Sequence, residues 1–461
     1  AAVADYKTLY YNQTLDHANN FDPTHPKWSH RYLLNDDNWN KKQLTLDCPG
    51  PILMYTGNEA PVTAFWSGNG FMIDHLAPKW GALVLFPEQR YYGESIPSSS
   101  MQYLTTQNVL EDFVELLEYV KKEYNAETCP VIAFGGSYGA TLTTYLRAAY
   151  PFSVIGGLAS SAPSGYYDPE NWEAHGVDEF TFSDIITKDY DSAHPQCLDA
   201  IKASRTAIEQ TSTEYLVKAF NLCNESGLGP HKPDLFLYGL EGLCQQDYPY
   251  AIGDMPAWPV NYVCDVLVDA YNTCDAQDPS CMVDAAVTVT NLALGTDSST
   301  CMETLEEGPG NIPGDGPGLG AWGYQSCTET LHQFSSRGIR DYQFDMQQSA
   351  LDPCNEIWQV APDTKAFKLR YGGYDLGDGK TEITNIIWSN GLLDPWSGGG
   401  FLPQYAPEDA AARGMYYFII QKGAHHLDLR GPHPEDPLEV TLVRKREEDI
   451  MWGWVQEFIS K

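Results

Sequence analysis

No stretch of this chain stays apolar long enough to cross a bilayer, so a transmembrane helix is not expected. Basic residues are scarce. Against 62 Asp and Glu stand only 28 Lys and Arg, a formal charge of −34. Such a surface repels nucleic acid and anionic membranes and excludes proteins that bind them through a basic face. The paired CxxC spacing of a structural zinc site is absent, and no metal or other cofactor is expected. The opening Ala1-Ala2-Val3-Ala4-Asp5 lacks both a Met and the apolar core of a signal peptide, and it reads as the start of a processed, mature chain.

Cysteine, by contrast, is plentiful. There are 11, and the nine from Cys197 to Cys354 lie in the middle stretch of the chain or at the end of that stretch. Without zinc spacing they read as disulfides formed in an oxidising compartment, which points to a secreted or a lysosomal or vacuolar protein. The sequons at Asn12 and Asn224 agree with that reading as glycosylation acceptors. The odd total leaves at least one cysteine unpaired within the chain.

The first third alternates short buried runs with glycine turns. Ile52 to Tyr55 ends at Thr56-Gly57-Asn58-Glu59, Leu83 to Phe86 ends at Pro87, and Val131 to Phe134 ends at a glycine pair. Between the last two, Val109, Phe113, Leu116, Leu117 and Val120 mark one face of a helix, with Thr105 or Thr106 as cap. This is the βαβ pattern of a parallel sheet covered on both faces. From about residue 164 to 342 the pattern gives way to helical periodicity, cysteines and Gly/Pro-rich breaks such as Gly308 to Gly314. Strands then return at Ile383 to Trp388 and Met415 to Ile420, before a closing helix from Glu447 to Ile459. The expected architecture is an α/β core, residues 1–163 and 343–461, interrupted by a mostly helical, disulfide-bearing cap, residues 164–342.

Gly135-Gly136-Ser137-Tyr138-Gly139 sits between the third strand and a helix from Tyr138 to Tyr150. This is the strand–turn–helix setting of a nucleophile elbow, where small neighbours let a strained serine project above the sheet. A serine so placed needs a base, and the base an acid to orient it, in the chain order Ser, Asp, His for an α/β-hydrolase. Asp394 follows the first late strand, and His425 and His426 follow the second. Spacing does not choose between the two histidines. Asp375, Asp378 and Asp428 are rival acids that follow a strand less cleanly, and His75, His175 and His332 read as surface or structural histidines. The backbone N–H of Tyr138 and the loop Gly57-Asn58 are candidates for an oxyanion hole.

The segments Tyr55-Thr56-Gly57-Asn58-Glu59, Arg90-Tyr91-Tyr92-Gly93-Glu94-Ser95, Gly135 to Gly139, Ser160-Ser161-Ala162-Pro163, Tyr248-Pro249-Tyr250, Tyr324 to Glu329, Asn390 to Gly400 and Gly423 to Arg430 occur in one order along most of the chain. Together they resemble the serine peptidases that include prolyl (Pro-Xaa) carboxypeptidase and dipeptidyl-peptidase II. The resemblance implies an α/β-hydrolase with a helical cap, acting near a peptide end after proline or a small residue at acid pH. It selects His425 as the base, with Ser137 and Asp394. Glu59, Thr141, Trp322, Gln325 and Trp396 become candidates for substrate binding, Trp396 as the wall of a prolyl pocket. Gln89 stands where the family usually has His, a change expected to touch scaffold more than chemistry. Gly323 stands where the dipeptidyl-peptidase branch has Asp, which favours carboxypeptidase-like cleavage, although Glu59 offers another anchor for a terminal amine. The expected partners are peptides with proline near one terminus, with a homodimer as an allowed assembly. A dipeptidyl aminopeptidase is the main alternative and a lipase or esterase a remote one. Cys48 and Cys129 precede strands that neighbour each other in such a sheet, so a disulfide between them is expected.

Overall fold

A computed structural model describes residues 4–19, 26–228, 231–275, 278–295, 301 and 320–461. The Gly308 to Gly314 break lies outside them. Among the described residues, eight strands form one sheet in the order β1-β2-β4-β3-β5-β6-β7-β8. They are β1 (Lys7–Thr14), β2 (Lys27–Asn35), β3 (Ile52–Tyr55), β4 (Leu83–Pro87), β5 (Val131–Gly136), β6 (Gly156–Ser160), β7 (Ile386–Gly391) and β8 (Met415–Ile420). β1 and β2 pair antiparallel, β2 joins β4 antiparallel, and every pairing from β4 to β8 is parallel. This is the strand order of an α/β-hydrolase. β3 to β7 are buried at every position, as a sheet covered on both faces requires.

The central helices are α1 (Thr106–Glu123) and α2 (Tyr138–Ala149). Thr105 caps α1 by accepting from the Asn108 N–H at 3.2 Å. Cys48 and Cys129, just before the paired starts of β3 and β5, form a disulfide with Cα atoms 5.2 Å apart. The inserted cap is built on α3 (Thr181–Ala193), α4 (Cys197–Gln210), α5 (Asp234–Gln245), α6 (Pro259–Thr273) and α7 (Ser280–Leu294). They share a core of their own around Ile186, Ile201, Leu240, Leu267 and Val283. Disulfides Cys197–Cys264, Cys223–Cys301 and Cys274–Cys281 staple it. Cys327–Cys354 joins α8 (Ala321–Thr328) to the segment that follows, and Cys244 is free and buried.

Two element starts differ from the sequence reading by three residues or more. β7 begins at Ile386 rather than Ile383, because Asn385 is held at φ 51° and turns its amide onto the Ile155 carbonyl. The closing helix α9 runs Leu438–Ser460, starting nine residues early. Pro437 at its N-cap starts it cleanly, but Leu438 and Leu442 face solvent and blur the amphipathic signal.

Candidate active site

Ser137 lies between β5 and α2 with φ 59° and ψ −129°, a strained conformation for a residue with a side chain. Glycines make the turn feasible. A Cβ on Gly135 would stand 2.2 Å from the Gly139 carbonyl oxygen, and one on Gly139 would stand 2.3 Å from Asn58 Oδ1. Tyr138 is the first helical residue, where an N–H has no intrahelical acceptor and the helix dipole is positive.

The loop after β3 is fastened to this turn. Asn58 donates through Nδ2 to the Gly136 carbonyl at 2.7 Å and accepts from the Tyr55 hydroxyl at 2.7 Å. Its side chain is thus committed to the scaffold. Next to it, Glu59 has one carboxyl oxygen, Oε2, that is buried without a partner among the described residues. Burial pushes the Glu59 carboxyl up, and the nearby His425 opposes that shift.

Asp394 and His425 meet across two loops. His425 Nδ1 is 2.8 Å from Asp394 Oδ2, and Asp394 is fully buried. Asp394 Oδ1 also accepts from the Trp396 N–H at 3.1 Å. An ionised carboxylate only accepts, so it holds the proton on Nδ1 and leaves Nε2 basic. His425 is braced from the cap as well: its N–H donates to Gln245 and its carbonyl accepts from the Tyr248 hydroxyl at 3.0 Å. His426 does not join Asp394. Its ring lies 3.0 Å from where a Cβ on Gly136 would be, which sets the histidine loop against the serine turn.

The rival groups are engaged elsewhere. Asp375 pairs with Lys380, Asp378 with His175 and Lys380, and His75 with Glu448. Asp428 accepts from the Ser160 hydroxyl. His332 departs from the surface or satisfied role read from the sequence. It sits within an aromatic cluster, its ring 5.1 Å from those of Tyr167, Phe334 and Trp396 and 6.4 Å from Trp322, and its Nε2 is buried without a partner among the described residues. Burial lowers its pKa to about 3, so the imidazole is neutral. Trp322 in turn meets the Tyr138 ring edge-on at 5.2 Å, and Phe182 meets Trp396 at 4.8 Å. The cluster therefore bridges from the residue after Ser137 to the residue two after Asp394. No spacing in the sequence could have announced His332, Phe334 or Phe182, because the cap brings them there from distant helices and turns.

Thr141 is buried and its hydroxyl lies 3.0 Å from that of Ser164. Gln325 is buried behind Tyr138. It donates to the Tyr138 hydroxyl at 2.9 Å and accepts from Tyr92 and from Gln89 at 3.1 Å. Gln89 thus reaches the serine turn through two side chains. Glu329, at the end of the same motif, accepts from both the N–H and the hydroxyl of Thr106 and so anchors α8 to the start of α1. Asn12 and Asn224 are both exposed. Among the described residues no cluster of ligands suits a metal ion.

A sheet of this order with an elbow serine and an Asp–His pair on the late loops defines an α/β-hydrolase. The chain belongs to the serine carboxypeptidase S28 family, whose profile matches residues 13–447, and it is a serine-type peptidase. It is 34% identical to the lysosomal Pro-X carboxypeptidase of Homo sapiens over 99% of this chain and 90% of that one. It is 25% identical to the thymus-specific serine protease of Homo sapiens over 99% of this chain and 88% of that one. Among solved structures, an acetylester hydrolase from Corynebacterium glutamicum overlays with a TM-score of 0.42 at 13% identity, over 97% of this chain and 95% of that one.

Proposed function

We propose that this peptidase removes the residue that follows a proline at the carboxyl end of a peptide, through an acyl-enzyme formed on Ser137. The observation that carries the reading is the Asp394–His425 hydrogen bond, in a loop that packs on the elbow. The Ser137 hydroxyl attacks the prolyl carbonyl while His425 Nε2 takes its proton. The oxyanion accepts from the Tyr138 N–H and a backbone N–H of the Gly57-Asn58 loop, each such donor worth about 3 kcal/mol in the transition state. The imidazolium, stabilised by Asp394, gives its proton to the leaving amine. Water then repeats the sequence and frees the prolyl carboxylate and Ser137.

The aromatic cluster suits the prolyl ring. Trp322, Phe334 and Trp396 offer apolar walls, and a neutral His332 adds no charge, while Thr141 on α2 stays a candidate contact. Proline has no N–H to leave unmet in such a pocket. Gln325 serves by holding Tyr138. Gly323 removes the charge that would anchor an amine beside Trp322, and the Pro-X carboxypeptidase relatives support the same direction. The disulfides, and exposed Asn12 and Asn224 as glycan acceptors, fit a lysosomal, vacuolar or secreted setting.

One observation favours a second reading. The unpartnered oxygen of Glu59 beside His425 would suit a terminal ammonium, as a dipeptidyl aminopeptidase releasing Xaa-Pro requires. Release of the last residue from a Pro–Xaa peptide, followed by mass spectrometry, is compared with hydrolysis of an Xaa-Pro reporter amide. Carboxyl-end release is expected to dominate; dominance of the reporter overturns the direction. Fluorophosphonate labelling that survives Ser137→Ala would overturn the nucleophile.

A further inference from the structure

Behind the histidine loop lies a buried group of polar atoms that the mechanism above leaves unused. Asp428, three residues after His425, is 1% exposed, and Glu447 on α9 is wholly buried. Asp428 Oδ1 accepts from the Ser160 hydroxyl, at the end of β6. Among the described residues, Asp428 Oδ2, both oxygens of Glu447 and the Ser389 hydroxyl on β7 are all buried without a partner. Glu447 lies near enough to Asp428 and Ser389 to be influenced by both, and Arg444, three residues earlier on α9, donates to the Asp428 carbonyl at 2.8 Å. Two carboxylates cannot bond each other, because each only accepts.

A cation does not resolve the conflict. Arg444, the charged neighbour on α9, donates to the carbonyls of Asp428 and Leu427, at 2.8 Å each, and to the Asp436 carboxylate. Glu448 on the same helix is paired with His75 and Lys79. β6 and β7 present Ser160 and Ser389, both uncharged, and β8 (Met415–Ile420) contains no ionisable group but its tyrosines. On the loop itself, His426 is buried beside His425 and Arg430 and held neutral by burial. One added proton supplies the donor that this pair of buried carboxylates lacks. Held on Glu447, it removes one of the two like charges that burial would otherwise set against each other.

We propose that Glu447 is a positioning residue that holds a proton and shares it with Asp428, locking α9 to the loop that carries His425. The lock acts on geometry. The segment from His425 to Arg430 is a chain of tight turns, with His426 at φ 38° and its N–H on the Ser161 hydroxyl at 2.9 Å. Losing the shared proton places two buried negative charges side by side and pushes Asp428 off its seat, and the imidazole goes with it. The reaction balances simply: the carboxyl pair releases one proton to solvent as pH rises and regains it as pH falls. A carboxyl whose folded pKa is raised gives stability that is full below its unfolded range and is lost as pH rises through the folded value. Burial is the main cause of that raised value here, with Asp428 second.

The kinetic arm of the test rests on the Ser137–His425 reading, while its stability arm does not. Glu447→Gln keeps a donor towards Asp428 and cannot ionise; Glu447→Ala removes the donor. At about pH 5, Glu447→Gln is expected to keep kcat within about twofold of wild type, and Glu447→Ala to lose roughly tenfold or more with KM little changed. Towards neutral pH the wild type loses kcat and Tm, and Glu447→Gln loses less of both. Asp428→Asn, which removes the other charge, should flatten the same pH dependence. Infrared difference spectra should show a protonated carboxyl band in the wild type at about pH 6 that Glu447→Gln lacks. Glu447→Gln and Asp428→Asn profiles that parallel wild type, or the absence of that band, overturn the proposal. If no prolyl peptide is turned over, the function proposed above fails, whereas the Tm and infrared results still decide this one.

Discussion

At the residue scale, Asp394 has little to do but orient His425, and its two oxygens are spent on the imidazole and on the Trp396 N–H. Asparagine fits the same space but can offer its amide N–H to Nδ1, which favours the opposite tautomer. Asp394→Asn is expected to fold and to lower kcat by about 10³ to 10⁴, measured on the preferred prolyl peptide. Gly139 tests the turn instead of the base. A methyl there meets Asn58 Oδ1 at 2.3 Å and the Thr56 carbonyl at 2.7 Å, and the second is backbone that yields poorly. Gly139→Ala should therefore cost on the order of 1–3 kcal/mol in chemical denaturation and lose most fluorophosphonate reactivity. Stability retained with reactivity lost would mean that the Gly57-Asn58 loop moves to make room.

At the scale of elements, the sequence was readable wherever a run was both apolar and bounded. β3, β8 and the start of α2 were read at their observed limits, because buried parallel strands need continuous apolar residues and glycine or proline at their ends. β6 was missed. Its Gly156 and Gly157 are strand positions only because Trp454 and Thr143 occupy the space side chains would need, a tertiary reason invisible locally. β1 and β2 were missed since no tight turn joins them, and they bury Gln13, Thr14 and His30 in place of a clean alternation. At the candidate site, Ser137, Asp394 and the histidine pair each follow a strand, as the sequence reading placed them, while the choice of His425 came from the family resemblance. The aromatic cluster was not legible, since its members share neither an element nor a spacing. Disulfides act at this scale too. Cys48–Cys129 closes 81 residues around β3, β4 and α1, so its main effect is to shrink the unfolded ensemble. Replacing both by Ser should cost about 2–5 kcal/mol of unfolding free energy while leaving KM unchanged, since neither touches the site. A changed KM would mean the bridge also sets the loop after β3.

For the molecule as a whole, the charge of −34 and the buried acids act in the same direction. Surface carboxylates repel one another above their ordinary range, and that repulsion falls away as they protonate. Beneath the surface, Asp189 on α3 and Asp247 just after α5 add a second contribution. Burial, and then the neighbouring Asp247, push the Asp189 carboxyl up to about 8, and burial pushes Asp247 up to about 6. Both lie in the cap beside the Gln245–Tyr248 segment that braces His425. Each binds a proton in the folded state that the unfolded chain has already released, so folding stability falls as pH rises from the ordinary aspartate range through 6 and on to 8. Tm is therefore expected to be higher at about pH 5 than at about pH 8, by on the order of 5 °C in differential scanning calorimetry. Salt separates the two contributions, because it screens exposed charges beyond about 10 Å at 0.1 M but reaches buried ones poorly. Added NaCl should recover the surface share at pH 8 and leave the rest, and Asp189→Asn should recover part of what salt cannot. A loss of Tm that salt fully abolishes would assign the pH dependence to the surface alone and leave the buried acids without a role in it.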